Sequence, residues 1–256
     1  MRFLTLYSGS GGNAAYLESD TTAILFDAGK SARRLCEALA EIGSSLSRID
    51  AIFITHDHAD HTSALETLAK KHDIPIHITS KSAEIFEGER YSSLRERLVT
   101  HPPLFEVTVG DLTVRSFPTS HDSRMSVGYT VELPDKSSIG IATDLGYVSD
   151  SVSEALTGCR AVMLESNHDV DMLTTGVYPR FLKERILSRR GHLSNPDSAL
   201  FASRLAATGT KAFLLAHLSA ENNTPSLALD EFLSAVADPT VRVSIADAER
   251  PTELYL

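Results

Sequence analysis

Apolar and polar positions along the chain alternate between two kinds of block. Short, largely apolar runs at 2–7, 14–18 and 23–27 predict strands. Leu35, Leu39 and Ile42 then recur at spacings of four and three, which predicts a helix ending at Gly43. The nearly all-apolar run Ala51-Ile-Phe-Ile-Thr55 predicts another short strand, followed by a helix over 62–71, a strand over 75–79 and a helix near 80–88. The middle of the chain is β-rich. Residues 104–109 and 112–117 form one expected hairpin, turning at Gly110-Asp111, and 126–133 and 138–143 a second, turning at Pro134-Asp135. Helix 149–157, strand 160–165, helices 178–190 and 196–207, strand 212–216, helix 225–236 and strand 241–245 complete the pattern. β-rich blocks and helices thus appear twice. Two mixed sheets packed face to face, with helices outside, account for that order and give an α/β (α+β) class. No internal repeat, low-complexity stretch or linker interrupts it, so residues 1–256 are expected to form a single domain.

Composition narrows the setting. The chain has 256 residues, 42% hydrophobic and 23% charged, which is ordinary for a globular protein. At this length roughly three quarters of the unfolded surface is buried on folding, so no staples are required. Only Cys36 and Cys159 are present, far apart, which fits a reducing and hence cytoplasmic location. The apolar start is broken at Ser8-Gly9-Ser10-Gly11-Gly12, too soon for a signal peptide, and no apolar run approaches the ~20 residues of a membrane span. The formal net charge of −10 argues against a broad non-specific nucleic-acid surface. It leaves room for a local basic groove, because phosphate contacts depend on local charge.

The chemistry concentrates at Thr55-His56-Asp57-His58-Ala59-Asp60-His61. His-x-His-x-Asp-His sets three imidazoles and a carboxylate just past an apolar strand. A tight loop there turns His56 and His58 toward one ion, and Asp60 and His61 serve a neighbour. Such donors suit Zn²⁺ or Mn²⁺. The plainer alternative is a solvated polar loop. Later in the chain His121, Asp144 and His217 each stand just beyond the C-terminal end of an expected strand, as the first cluster does. Strand ends along one edge converge, and a carboxylate such as Asp144 bridges two ions. For each residue alone, an exposed or capping polar group is the competing reading.

In this order, the first cluster with His121, Asp144 and His217 resembles the successive metal motifs of the metallo-β-lactamase superfamily, and the resemblance runs over nearly the whole chain. It implies a four-layer αββα sandwich with two divalent metal ions (Zn or Mn, with Fe as an alternative). One ion would fall to His56, His58 and His121, the other to Asp60, His61 and His217, with Asp144 between them. Phe26-Asp27-Ala28-Gly29 also resembles a superfamily motif whose carboxylate supports the metal loop, although a plain strand-to-helix turn accounts for it too.

Further motifs select a branch. Ser8-Gly-Ser-Gly-Gly-Asn13, Glu165-Ser-Asn-His-Asp169, Gly191-His-Leu-Ser-Asn195 and His217-Leu-Ser-Ala-Glu-Asn-Asn223 resemble the YycJ/WalJ branch, on the phosphodiesterase side of the superfamily. The implied activity is phosphodiester hydrolysis, with DNA exonuclease action expected and nucleic acid or a small phosphodiester as substrate. The implied chemistry is attack by a metal-bridging hydroxide, with Asp60 orienting or deprotonating the water. Glu165 and His192 would assist departure of the alcohol, and His168 is a further candidate to orient them. Ser194 or Asn195 can cap a helix starting at Pro196, and Thr224 another starting at Pro225, so helix starts would offer N–H groups to a phosphate. Ser8 and Ser10 would do likewise, although ordinary caps and turns explain all of these. Arg180, Lys183, Arg185, Arg189 and Arg190 read more readily as a solvated helix face than as a groove. His72, His77 and His101 lie outside the motifs, and the aromatics show no stacking platform. A thioesterase, lactonase or cyclic phosphodiesterase on the same metal site is one alternative. An inactive metal-bound binding protein is another.

Overall fold

The computed structural model describes residues 1–255. The first sheet contains β1 (Arg2–Tyr7), β2 (Ala14–Glu18), β3 (Ala23–Phe26), β4 (Ala51–Phe53), β5 (Ile76–Thr79) and β6 (Leu98–His101). The second contains β7 (Glu106–Val109), β8 (Leu112–Pro118), β9 (Val127–Glu132), β10 (Ser138–Ala142), β11 (Ala161–Glu165), β12 (Ala212–Ala216) and β13 (Arg242–Ile245). The last strand, β14 (Thr252–Leu254), returns to the first sheet beside β1, so each sheet has seven strands. Strands β14-β1-β2-β3 pair antiparallel and β3 to β6 parallel. In the other sheet β7 to β10 pair antiparallel and β10 to β13 parallel.

The uniformly apolar strands are explained by their two buried faces. Ala51 and Phe53 join Phe3, Phe26 and Tyr129 between the sheets, whereas Ile52 and Ile54 turn outward. There they meet Leu35 and Leu39 of α1 (Ala32–Glu41), with α2 (Ala59–Thr62) following β4 and Leu65 and Leu68 of α3 (Leu65–Lys71) beside them. The short α4 (Ser80–Ala83) and α5 (Ser92–Arg95) follow on this side. Strand β12 repeats the logic: Ala212, Leu214 and Ala216 face the first sheet, and Phe213 and Leu215 face the helices. Those helices are α6 (Asp150–Leu156), α9 (Asn195–Ala207) and α10 (Pro225–Ala235), with α7 (Val170–Thr175) and α8 (Arg180–Ile186) between α6 and α9 in sequence. Helix–sheet–sheet–helix layering follows directly.

Three expectations change. The helix near 80–88 is α4 plus a 3-10 turn at Glu84–Phe86. The one at 178–190 shortens to α8, because after Leu187 the chain turns back and the His192 N–H reaches Ile186 O at 3.0 Å. The edge strands β6 and β14 escape the sequence reading, since three or four residues are too few to show a period.

Among the rings between the sheets, His77 stacks on Phe53 at 4.6 Å, and its Nδ1 lies 2.9 Å from Nε2 of His101. Burial, then the neighbouring His101, pushes His77 down to about 4. Its folded value therefore lies below the unfolded ~6.5. No penalty exists above pH ~6.5, and one grows as pH falls toward 4, where the unfolded chain takes the proton first. His77→Phe, which keeps a ring on Phe53, is expected to lose about 1–3 kcal/mol less stability than the parent between pH 6.5 and 4 in denaturant titrations. Parallel pH curves for the two proteins would reject this.

Candidate metal centre

Six strand ends deliver the polar residues to one edge: Asp27 after β3, Thr55–His61 after β4, His121 after β8, Asp144 after β10, Glu165 ending β11 and His217 after β12. Asp27, Asp144 and His217 hold φ of 62°, 58° and 57°, the left-handed region that residues with a Cβ rarely occupy. Each such turn costs about 1–3 kcal/mol and persists only where its surroundings impose it. Here it folds the side chain back over the strand end. The cluster loop, which follows β4 of the first sheet, is gripped from β9 of the second. Val127 N–H donates to Thr55 O at 3.0 Å, and Tyr129 Oη donates to Ile54 O at 2.6 Å. Gly29 lets the neighbouring loop close in, since a Cβ there would lie 1.6 Å from Asp60 O.

The imidazoles are oriented by their Nδ1 atoms. His61 Nδ1 meets Asp27 Oδ2 at 2.8 Å, His121 Nδ1 meets Gly191 O at 3.0 Å, and His56 Nδ1 meets Thr55 Oγ1 at 3.0 Å. His217 Nδ1 meets Glu165 Oε1 at 2.9 Å. Asp27 also accepts from the Thr55 N–H at 2.8 Å. With Nδ1 engaged outward, each Nε2 turns inward, the arrangement that metal-ligating histidines adopt.

Donor atoms gather in overlapping groups, among them His56–His58–His121 and Asp60–His61–His217, each within 4.8 Å. Asp144 reaches both. Its Oδ1 lies 3.6 Å from Nε2 of His121 and 3.6 Å from Nε2 of His217, and its Oδ2 lies 3.4 Å from Nε2 of His61. These gaps are too long for hydrogen bonds. They match the ~3.4 Å between two ligands each ~2.1 Å from a tetrahedral cation. His56 Nε2, His217 Nε2 and Asp144 Oδ2 are buried with no hydrogen-bond partner, which a protein does not leave without reason. The donor set fits divalent-cation binding.

Electrostatics agree. Burial alone would drive His61 and His217 neutral, yet Asp27 and Asp144 hold His61 up at about 10. Asp144, with Asp60 and Glu165, holds His217 well above its usual range against the same burial. Asp144 resists its own burial and stays far below the ordinary carboxylate range, because His217, His61, His56 and His121 surround it. Burial dominates at His56 and His121 and pushes both down. The field that draws protons onto His61 and His217 is one a cation would feel.

Beside this cluster, Glu165 is fully buried and saturated. Oε1 meets Nδ1 of His192 at 2.8 Å as well as Nδ1 of His217, and Oε2 accepts the N–H groups of Leu145 at 2.7 Å and Leu193 at 3.0 Å. Burial raises its pKa, but His192 and His217 outweigh that and leave it at about 2. A cavity of about 220 Å³ opens over the centre, lined by His58, Asp60, His121, Asp144, His192 and His217. Leu182, Arg185 and Ile186 of α8 form another wall, beside Tyr178.

Residues 22–218 match the family described as "Beta-lactamase superfamily domain". This chain belongs to the metallo-β-lactamase superfamily. It is 36% identical over 248 residues to "Exodeoxyribonuclease WalJ" of Streptococcus pneumoniae, covering 95% of this chain and 91% of that one. "Exodeoxyribonuclease YycJ" of Bacillus anthracis is 35% identical over 237 residues, 89% of this chain and 86% of that one. Among solved structures, the metallo-β-lactamase fold protein YhfI from Bacillus subtilis superposes with a TM-score of 0.73 at 16% identity over 98% of each chain, a likeness of fold. The two seven-stranded sheets with outer helices are the metallo-β-lactamase fold.

Within this metallo-β-lactamase framework some expected residues stand elsewhere. Ser194 caps α9, accepting from the Asp197 N–H at 3.3 Å and donating to Asp197 Oδ2 at 2.7 Å. The first turn of α9 thus carries a carboxylate of its own, Asp197, at its positive end. Asn195 is buried in a network with Ser166 Oγ at 2.7 Å and the Asn223 amide at 2.9 Å. Ser8 is buried and its Oγ accepts the His217 N–H at 2.8 Å, which steadies that strained turn, whereas Ser10 is exposed on the cavity wall. His168 is buried with both ring nitrogens unpartnered and does not line the cavity. Other residues were not singled out from sequence. Asp122 Oδ1 lies 3.4 Å from Nε2 of His121 and 3.9 Å from Nε2 of His58, and Oδ2 pairs with the Arg185 guanidinium. Adjacency to His121 was the available signal. The basic run divides: Arg185 faces the cavity, Arg190 binds His121 O, Arg189 stacks on Tyr147 and Lys183 caps Thr174 O. Asn13 Nδ2 approaches His61 Nε2 at 3.1 Å, and Asn167 Nδ2 donates to His217 O at 2.8 Å. Among the described residues no helix is long and apolar enough to cross a membrane.

Proposed function

We propose that this protein is a dinuclear-metal phosphodiesterase that degrades DNA from an end. His56, His58 and His121 would hold one Zn²⁺ or Mn²⁺, and Asp60, His61 and His217 the other, with Asp144 shared. Such cations supply Lewis acidity: they make hydroxide available near neutral pH and offset charge gathering on phosphate oxygens. Asp60 orients the attacking water or takes up its proton, with Asp27 steadying His61 behind it. Arg185, kept in place by Asp122, and Ser10 meet the substrate on either side of the cavity.

The observation that carries the reading is the Glu165–His192 pair. Glu165 accepts a hydrogen bond from Nδ1 of His192 at 2.8 Å, which leaves Nε2 to protonate a departing oxygen. A sugar alkoxide is a poor leaving group and needs that proton. A thiolate leaves without it, so the pair favours a phosphodiester over a thioester. The two exodeoxyribonuclease relatives support nucleic acid as the substrate.

Purified protein with Zn²⁺ or Mn²⁺ is expected to shorten 5′- or 3′-labelled DNA from one end, and His58→Ala to lose this. His192→Ala is expected to slow DNA hydrolysis by about 10²- to 10⁴-fold, but methyl p-nitrophenyl phosphate, whose phenolate needs no proton, by less than about tenfold. Two bound cations per chain with no phosphodiester cleaved would overturn the reading. Equal losses on both substrates would remove His192 as the proton donor.

A further inference from the structure

The centre has a larger neighbour. A cavity of about 500 Å³ lies between three loops at the same strand-end edge, within the size range of small-molecule sites. One loop is the glycine-rich turn after β1, and two follow β12 and β13, with Pro225 at the start of α10 closing a side. Ser10 and Ser219 line this cavity and also the metal cavity, so the two adjoin.

The chemistry of the two halves differs. The metal side carries Arg185 and a cluster of histidines. The neighbouring side has no basic residue in its lining and includes Asp247 and Glu249. Leu218, Ala220, Ala246 and Ala248 supply apolar surface. Its outer wall is preformed. Asp247 Oδ1 accepts the N–H groups of Glu249 at 2.7 Å and Arg250 at 3.0 Å, and Glu249 is held by Lys30 at 2.6 Å and Arg34 at 2.7 Å. Such a cavity suits an uncharged, flat, partly apolar group with a few hydrogen-bonding edges. It offers no basic side chain to a second phosphate.

The geometry points to this cavity as the seat of the terminal nucleoside, whose phosphate lies over the metal centre. The inference rests on the phosphodiesterase reading and deepens it. A nucleoside here is the last in its strand, because the lining offers the next phosphate no cation: it holds the Asp247 carboxylate, and Lys30 and Arg34 beyond it are already engaged by Glu249. Cleavage at an end then follows from the shape and charge of one cavity rather than from the metal chemistry.

The test uses metal-loaded protein and two variants at exposed positions of the cavity, Ala220→Trp and Ala248→Trp, each checked by thermal melting. Calorimetric titration with dAMP and with inorganic phosphate separates the two cavities. Each variant is expected to weaken dAMP at least tenfold more than phosphate. Its kcat/KM on a labelled oligonucleotide is expected to fall at least tenfold further than on methyl p-nitrophenyl phosphate. Equal changes for both ligands, or none, would overturn the assignment. A parent protein that binds dAMP in this Trp-sensitive way yet cleaves no phosphodiester would keep the nucleoside cavity and remove the phosphodiesterase reading.

Discussion

Asp144→Asn is expected to release at least one of two bound cations per chain and to slow hydrolysis on the order of 10³-fold, about 4 kcal/mol of barrier. The carboxylate is fully buried, and its oxygens stand 3.4–3.6 Å from Nε2 of His61, His121 and His217. This one side chain thus stands near donors of both groups. An amide keeps the volume and removes the charge, so four imidazoles lose the anion they surround. Removing one partner of a buried, paired cluster typically costs about 3–5 kcal/mol. The melting temperature should therefore fall in the metal-loaded protein. Elemental analysis after gel filtration, with melting curves before and after chelation, reads both effects. Two retained cations and undiminished turnover would remove Asp144 from the centre.

Glu165→Gln should be nearly as damaging by a different route. Four N–H groups converge on this carboxylate: the rings of His192 and His217 and the backbone of Leu145 and Leu193. A glutamine offers one oxygen and turns an NH₂ group toward donors, leaving buried polar groups unpaired at about 1–3 kcal/mol each. His217 loses the partner that fixes its tautomer, and His192 loses the carboxylate that orients its ring. A fall in kcat of about 10²- to 10⁴-fold is expected, with a smaller change in KM. Because both residues act as one unit, adding His192→Ala should cost little more, within about threefold of the single variant. Multiplying losses in the double variant would show that Glu165 and His192 act separately.

Much of this centre was legible because metal chemistry forces unusual residue types into short spacings after apolar strands. His56, His58, Asp60 and His61 announce themselves within six residues, and His121, Asp144 and His217 repeat the same strand-end context. The sandwich was legible too, because strands buried on both faces read as unbroken apolar runs such as Ala212–Ala216. The short edge strands β6 and β14 were not, since pairing with β5 and β1 rather than local pattern makes them strands. A cap motif likewise shows that a serine can bond a backbone N–H, not where the helix start points. Ser194 and Asn195 therefore looked available for substrate, while the fold commits them to Asp197, Ser166 and Asn223.

The chain by itself determined the layer order, the donor types and their sequence along the strand ends, all of which follow from local composition and period. Only the tertiary structure decided which nitrogen of each histidine faces inward. That choice belongs to Asp27, Glu165, Thr55 Oγ1 and the Gly191 carbonyl, most of them distant in sequence from the ring they orient. It also decided that Arg185 alone of the basic run lines the metal cavity and that the β1 loop shares a wall with it. Hydrogen-bond direction and cavity shape depend on long-range placement to within about an ångström, and spacing along a chain carries no such information.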